Sequence, residues 1–227
     1  MPDSPKFYTK IPNFDLWTLE ANLKIVAQHL DLVQRLWEQE VETRNKNFDS
    51  FVSERLDMSD QRDEHEAYIE YQELQYFIQA RLPLLTFNPF IVTVWALFES
   101  SMKEVTSLFE RRIQPGLSLK DIKGKSFLDR INKFYAHVLD VELTISTGDQ
   151  VSLQRLCQLR NAIVHHSSVA SHLGGVLRSH IEADLIAGCN FSNCNTYVVV
   201  EASYASASYD IVAKHLRNVF NIYDGMG

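Results

Sequence analysis

The residues best suited to chemistry in this chain lie in one short run, Leu159-Arg160-Asn161-Ala162-Ile163-Val164-His165-His166. Arg160 follows Leu156 by four residues and Cys157 by three, and precedes Val164 by four. Helix neighbours stack at those spacings, so the pattern predicts an arginine set among apolar side chains. A charge in that setting is costly unless it is paired or hydrogen-bonded. His165 and His166 fall at the expected helix end, where the helix dipole favours a protonated imidazole by a few tenths to about 1 kcal/mol. An imidazole takes or gives a proton near neutral pH. A guanidinium holds a phosphate through two parallel N–H bonds and stabilises charge developing on it. Arginine and histidine together thus supply what phosphodiester cleavage requires.

Other chemistries find less support. The cysteines are Cys157, Cys189 and Cys194. Cys189 and Cys194 have no second close ligand pair, so zinc is not expected and ordinary thiols are. No cofactor is expected either, because there is no glycine-rich phosphate loop and no G-x-S-x-G elbow. His29, His65, His137, His172, His180 and His215 show no usable spacing. The three tryptophans fall on helical stripes and read as core.

Charge is unevenly spread. The net formal charge is -7, which by itself disfavours generic nucleic-acid binding, since phosphate affinity is built from Lys and Arg. Residues 1–80 carry 8 basic and 16 acidic side chains, whereas residues 103–133 carry 8 basic and 4 acidic. The basic middle, with Lys123, Lys125 and Arg130, is the candidate RNA-binding surface. The acidic first third faces a different task or partner. The apolar fraction is 45%, enough for a real core. No apolar run is read as approaching the roughly 20 residues of a membrane span. The start, MPDSPKFYTK, lacks the apolar region of a secretory signal, and few cysteines suit a reducing, cytoplasmic setting.

The elements that must position these residues are mostly helical. Apolar residues at three- and four-residue steps predict a long helix over about 14–46, with Trp17 and Leu36 on its buried face. A second is expected over about 60–82, capped by Ser59-Asp60, bearing Tyr68 and Tyr71 inward and stopped by Pro83. Asn88-Pro89 reads as the cap and first residue of a third helix ending near Ile113. A fourth spans about 119–139 with a weak beginning at Gly124. Thr147-Gly148-Asp149 reads as turn and cap of the fifth, about 149–166, with Leu153, Leu156, Cys157, Leu159, Ile163 and Val164 buried. A hairpin is expected over about 183–189 and 195–201, then a last helix over about 209–222 capped by Ser208. The fold class is all-α with a small β insertion.

The segment LRNAIVHH resembles the motif of the HEPN superfamily, an Arg, usually followed by Asn, with a His four to six residues on. Arg160, Asn161 and His165 match it, and His166 lies within the permitted spacing. Glu99, in ALFES, is similar to an aromatic-Glu pair on an earlier core helix in such proteins and could pair with the motif arginine. The resemblance covers about residues 85–222. It implies a HEPN-like helical bundle over 85–227, with residues 1–84 as a two-helix N-terminal elaboration packed against it. It further implies a metal-independent endoribonuclease in which the ribose 2′-hydroxyl attacks its own phosphate, leaving a 2′,3′-cyclic phosphate. His165 would move the proton, Arg160 would clamp the phosphate and Asn161 would orient. Such proteins dimerise with two motifs facing one cleft, and act as toxins or antiviral defence effectors. Many work beside a small antitoxin or a nucleotidyltransferase. The alternative it leaves is a non-catalytic HEPN module binding nucleotides or a protein.

Overall fold

The structure, a computed structural model, describes residues 15–55, 61–143, 146–166, 187–191 and 195–226. Among the described residues are six main helices and one hairpin: α1 (Leu16–Arg55), α2 (Gln61–Tyr76), α3 (Leu82–Ile113), α4 (Phe127–Phe134), α5 (Thr147–His166), β1 (Ala187–Phe191), β2 (Asn195–Val199) and α6 (Ala202–Gly225). The fold is all-α apart from the antiparallel hairpin, which pairs Ala187 with Val199 and Phe191 with Asn195.

Capping and charge explain α1. Asp15 accepts from the Thr18 amide at 2.7 Å and so caps its start. Leu19, Leu23, Val26 and Leu30 form its buried stripe. Beyond Leu30 few residues are buried, and the helix is carried to Arg55 with the help of surface pairs one turn apart: Arg35–Asp31, Arg44–Glu40 and Lys46–Glu42. Each such pair contributes only ~0.3–0.5 kcal/mol. Trp17, expected inside, is 75% exposed, and Leu36, Tyr68 and Tyr71 are exposed as well. The apolar pattern on α1 is wider than the surface its neighbours cover.

Pro83 does not stop a helix. A π turn, Phe77–Arg81, joins α2 to α3 without a break. Proline removes an N–H and crowds the carbonyl four residues back, and a widened turn absorbs both effects. Asn88 is consequently no cap. It is buried inside α3, with Pro89 as an interior residue. Its side chain donates to the Val198 carbonyl at 2.9 Å and accepts from the Val200 amide at 3.0 Å. Asn88 thereby acts as a strand partner for the chain about to enter α6. A division at residue 84 would cut this continuous helix, and α1 shares one apolar cluster with α3, α4, α5 and α6.

The helix from Glu64 to Ile113 is long and apolar enough to cross a membrane, and half of its most apolar window is buried. That corrects the expectation of no such run. Here it is the central helix of the bundle. Trp95 and Phe98 lie 5.1 Å apart, Phe109 meets Tyr135 at 5.2 Å, and Phe90 meets His29 of α1 at 5.6 Å.

The remaining boundaries shift for local reasons. Residues 119–121 form a 3-10 turn, and α4 starts only at Phe127 under a Ser126 cap. The expected break at Gly124 is present: a Cβ there would lie 2.7 Å from the Arg130 side chain and 3.0 Å from its backbone nitrogen. A second π turn, Tyr135–Leu139, ends this element. Ser146 caps α5 through the Asp149 amide at 3.1 Å, so Thr147-Gly148-Asp149 is helix rather than turn. In α6, Ser208 is buried mid-helix, and Glu201 stands at the cap position. Ser59-Asp60, expected to cap α2, lie outside the described residues.

Candidate active site at the end of α5

Three cross-links give the helix directions. Asn88 reaches Val198 and Val200, Phe98 meets His215 at 5.5 Å, and Phe109 meets Tyr223 at 5.1 Å. α3 and α6 therefore run parallel. Lys214 of α6 pairs with Asp149 near the start of α5 at 2.8 Å, and Arg155, further along α5, acts on Tyr204 near the start of α6. α5 thus runs against both, and its last turn lies beside the first half of α3. Leu153, Leu156, Leu159 and Ala162 are its buried stripe, while Val164 is 47% exposed.

Arg160 sits at the edge of that stripe, half-buried rather than enclosed. Its Nη1 donates to Asn161 Oδ1 at 2.9 Å, and its Nε is buried without a hydrogen-bond partner. Asn161 Nδ2 in turn points to Cys157 Sγ at 4.0 Å. Asn161 thus holds one arm of the guanidinium fork in place. Burial pushes the Cys157 thiol up, the Glu99 carboxylate adds to the rise, and Arg160 opposes it. Glu99, Cys157 and Arg160 therefore share one local field between α3 and α5. Among the described residues no ion pair joins Glu99 to Arg160.

His165 is exposed on the last turn. Five residues at ~100° each set it ~140° around the helix from Arg160. One chain therefore does not bring Arg160 and His165 together on a single phosphate. His166 is the final residue of α5, and its side chain lies outside those described, as do the side chains of Cys189 and Cys194.

The basic residues gather elsewhere on the bundle. Lys103 Nζ lies 5.4 Å over the Phe127 ring and the Arg130 guanidinium 6.0 Å from it. Lys123 and Lys125 are exposed just before α4. α4 packs against α5 around Leu153, where Leu128, Ile131 and Leu153 line one small cavity. Leu153 precedes Arg160 by seven residues, ~10 Å along the helix. Glu99 and Lys103 stand one turn apart on α3, so a track from the motif to the basic group runs along its flank.

One buried titratable group was passed over in the sequence. His215 is 5% exposed and faces Phe98 of α3 and, more distantly, Asp149 of α5. The signal was its place among Val212, Leu216 and Val219 on an apolar face. Burial pushes its imidazole down to about 4, with Asp149 opposing. The unfolded chain takes up this proton near the ordinary value of 6.5, and the folded chain does not until about 4. Stability from the neutral ring is therefore full above pH 6.5 and lost as pH falls from 6.5 towards 4, by about 3 kcal/mol in all. Urea unfolding at pH 7 and pH 4.5 should show that loss in the parent and a smaller one in His215→Leu. Equal losses in both would place the acid sensitivity in other groups.

Among the described residues no three His, Cys, Asp or Glu side chains gather closely enough to hold a metal ion. No family model, no curated protein and no solved structure matches this chain.

Proposed function

We propose that this protein is a metal-independent endoribonuclease of the HEPN type, working as a cytoplasmic homodimer. The observation that carries the reading is the state of Arg160. Its fork is partly held by Asn161 and partly unpaired, at a helix end that also presents an exposed His165. Retaining a half-buried, under-satisfied guanidinium there has a stability cost and suits a group waiting for an anion.

The separation of Arg160 from His165 supports the dimer. A two-fold axis beside the end of α5 would set one protomer's Arg160 against the other's His165. The neighbouring surface suits burial. Leu82–Phe98 contains no charged residue, and it exposes Leu85, Pro89 and Ala96, while Val164 is exposed on α5. Lys103, Lys123, Lys125 and Arg130 would then hold the RNA backbone away from the scissile bond. The exposed acidic face of α1 and α2 would receive an antitoxin or nucleotidyltransferase partner, and the biological role would be that of a toxin or defence effector.

Mixing two inactive variants tests the shared site. Arg160→Ala and His165→Ala, mixed and allowed to exchange subunits, should regain a measurable fraction of the parent's RNA cleavage. A mixture as inactive as its components, with exchange verified, would leave a non-catalytic module binding nucleotides or a protein as the better reading.

A further inference from the structure

A second site lies at the C-terminal end of α1. Arg44 of α1 stacks 4.0 Å over Phe77, and Phe48 meets Tyr71 at 5.6 Å, so the last third of α1 runs antiparallel to α2. These helices enclose an open-sided cavity of about 450 Å³, within the ~300–1,000 Å³ common for small-ligand sites. Of the described residues of α2, only Leu74 is buried. The pair touches through the Arg44–Phe77 and Phe48–Tyr71 contacts without closing over a core of its own.

The lining is specific in three ways. Phe48 and Phe77 give the cavity aromatic walls. Arg44 and Arg81 supply guanidinium groups, while Glu70 and Glu73 supply carboxylates. Arg44 is paired with Glu40, outside the lining, at 2.9 Å, and the lining's own opposite charges do not collapse onto one another. Arg81 lies 4.9 Å over the Tyr76 ring, and among the described residues neither Arg81, Glu70 nor Glu73 forms an ion pair. Finally, the π turn that accommodates Pro83 has Phe77 and Arg81 as its two ends, and both line the cavity. Single π turns inside α-helices recur at functional sites.

We propose that this cavity binds a nucleoside monophosphate. The base stacks on Phe48 with the Arg44-covered Phe77 as the far wall, Arg81 holds the phosphate, and Glu70 and Glu73 accept from ribose hydroxyls or an exocyclic amine. Inorganic phosphate would satisfy Arg81 and leave the aromatic walls wet. An amino-acid zwitterion would match both charges and leave much of the volume empty. A planar base with an anionic tail and a donating edge answers the aromatic walls, the guanidinium groups and the carboxylates together. The inference does not rest on the ribonuclease reading.

Calorimetric titration of the full chain with AMP, GMP, CMP and UMP, alongside adenosine and inorganic phosphate, tests it. At least one nucleotide should bind saturably, about tenfold or more tighter than adenosine or phosphate. Arg81→Ala should weaken that binding by about tenfold or more, with Arg81→Lys restoring only part. Phe48→Leu should weaken it several-fold, with far-UV circular dichroism and melting temperature showing that each variant folds. Should Phe48→Leu lose helicity, Glu73→Gln on the exposed rim replaces it, with the same expected direction. The proposal is overturned if none of the four nucleotides binds saturably, or if folded Arg81→Ala binds like the parent. It is equally overturned if affinity falls in Arg160→Ala instead, which would place the ligand at the end of α5.

Discussion

Arg160→Ala is expected to lower RNA cleavage by about 10²–10³-fold, the usual effect of removing a group that stabilises charge in the transition state. His165→Ala should lower it by about 10²–10⁴-fold, the usual contribution of a positioned proton-transfer residue. Neither loss should come from unfolding. Arg160 gives up one hydrogen bond to its sequence neighbour, and its buried Nε has no partner to lose. Removing a half-satisfied buried donor can be nearly neutral. His165 is exposed, and such substitutions usually stay within about 0.5 kcal/mol. Arg160→Lys should remain impaired, because an ammonium lacks the planar fork. Gel assays on a structureless RNA, with melting temperatures measured beside them, give the result. Activity within a few-fold of the parent in folded Arg160→Ala would remove Arg160 from the reaction.

The largest stability effect is expected at an uncharged residue. Asn88→Ala should destabilise the fold by about 2–5 kcal/mol, since it orphans two buried backbone groups at once. Those groups are the Val198 carbonyl and the Val200 amide, and Val198 and Val200 are themselves fully buried. Asn88→Asp should be about as harmful, because a carboxylate can accept from Val200 but would face the Val198 carbonyl with no proton to give. Urea unfolding followed by circular dichroism measures both. A loss below about 1 kcal/mol in Asn88→Ala would show that water or a local shift replaces the amide.

Asn88 also shows where sequence reading stops. Asn-Pro is a strong local signal for a helix start, and the local rule lost to a tertiary one. The amide is more valuable as a partner for a strand end 110 residues away than as a cap. Pro83 failed as a stop signal for a related reason. Burial of Ala80 and Leu82 before the proline and of Phe87 after it holds the helix together, and the cost appears as a π turn. The apolar stripes on α3, α5 and α6 were readable because three sides of α3 are covered, so the period of burial matches the helix. On α1 and α2 the pattern misled, because Trp17, Leu36, Tyr68 and Tyr71 have helical spacing but nothing above them.

The candidate site was half readable. The types and order of Arg160, Asn161 and His165 are local facts, and so is their helix. Their relative direction follows from the helix period and separates the two chemical groups by ~140°, which the spacing alone already contained. Cys157 and Val164 were expected inside; Cys157 is half-buried and Val164 exposed, so Arg160 stands at a boundary instead of in a pocket. The ion pair imagined for Glu99 depended on side-chain reach across α3 and α5, which no periodicity reports. His215 was visible as a member of an apolar face and carried no motif to draw notice.

The proposed reaction is that Arg160 and His165 cleave RNA through its own 2′-hydroxyl, without a metal. Its most direct test is mass spectrometry of the ends produced from a defined RNA incubated with the protein and excess EDTA, beside the same oligonucleotide carrying one 2′-deoxy residue at the cleaved position. Cleavage should leave a 2′,3′-cyclic phosphate and a 5′-hydroxyl in EDTA, with no cut at the 2′-deoxy position. Cleavage at the 2′-deoxy position, or 3′-hydroxyl products that vanish with EDTA, would contradict it.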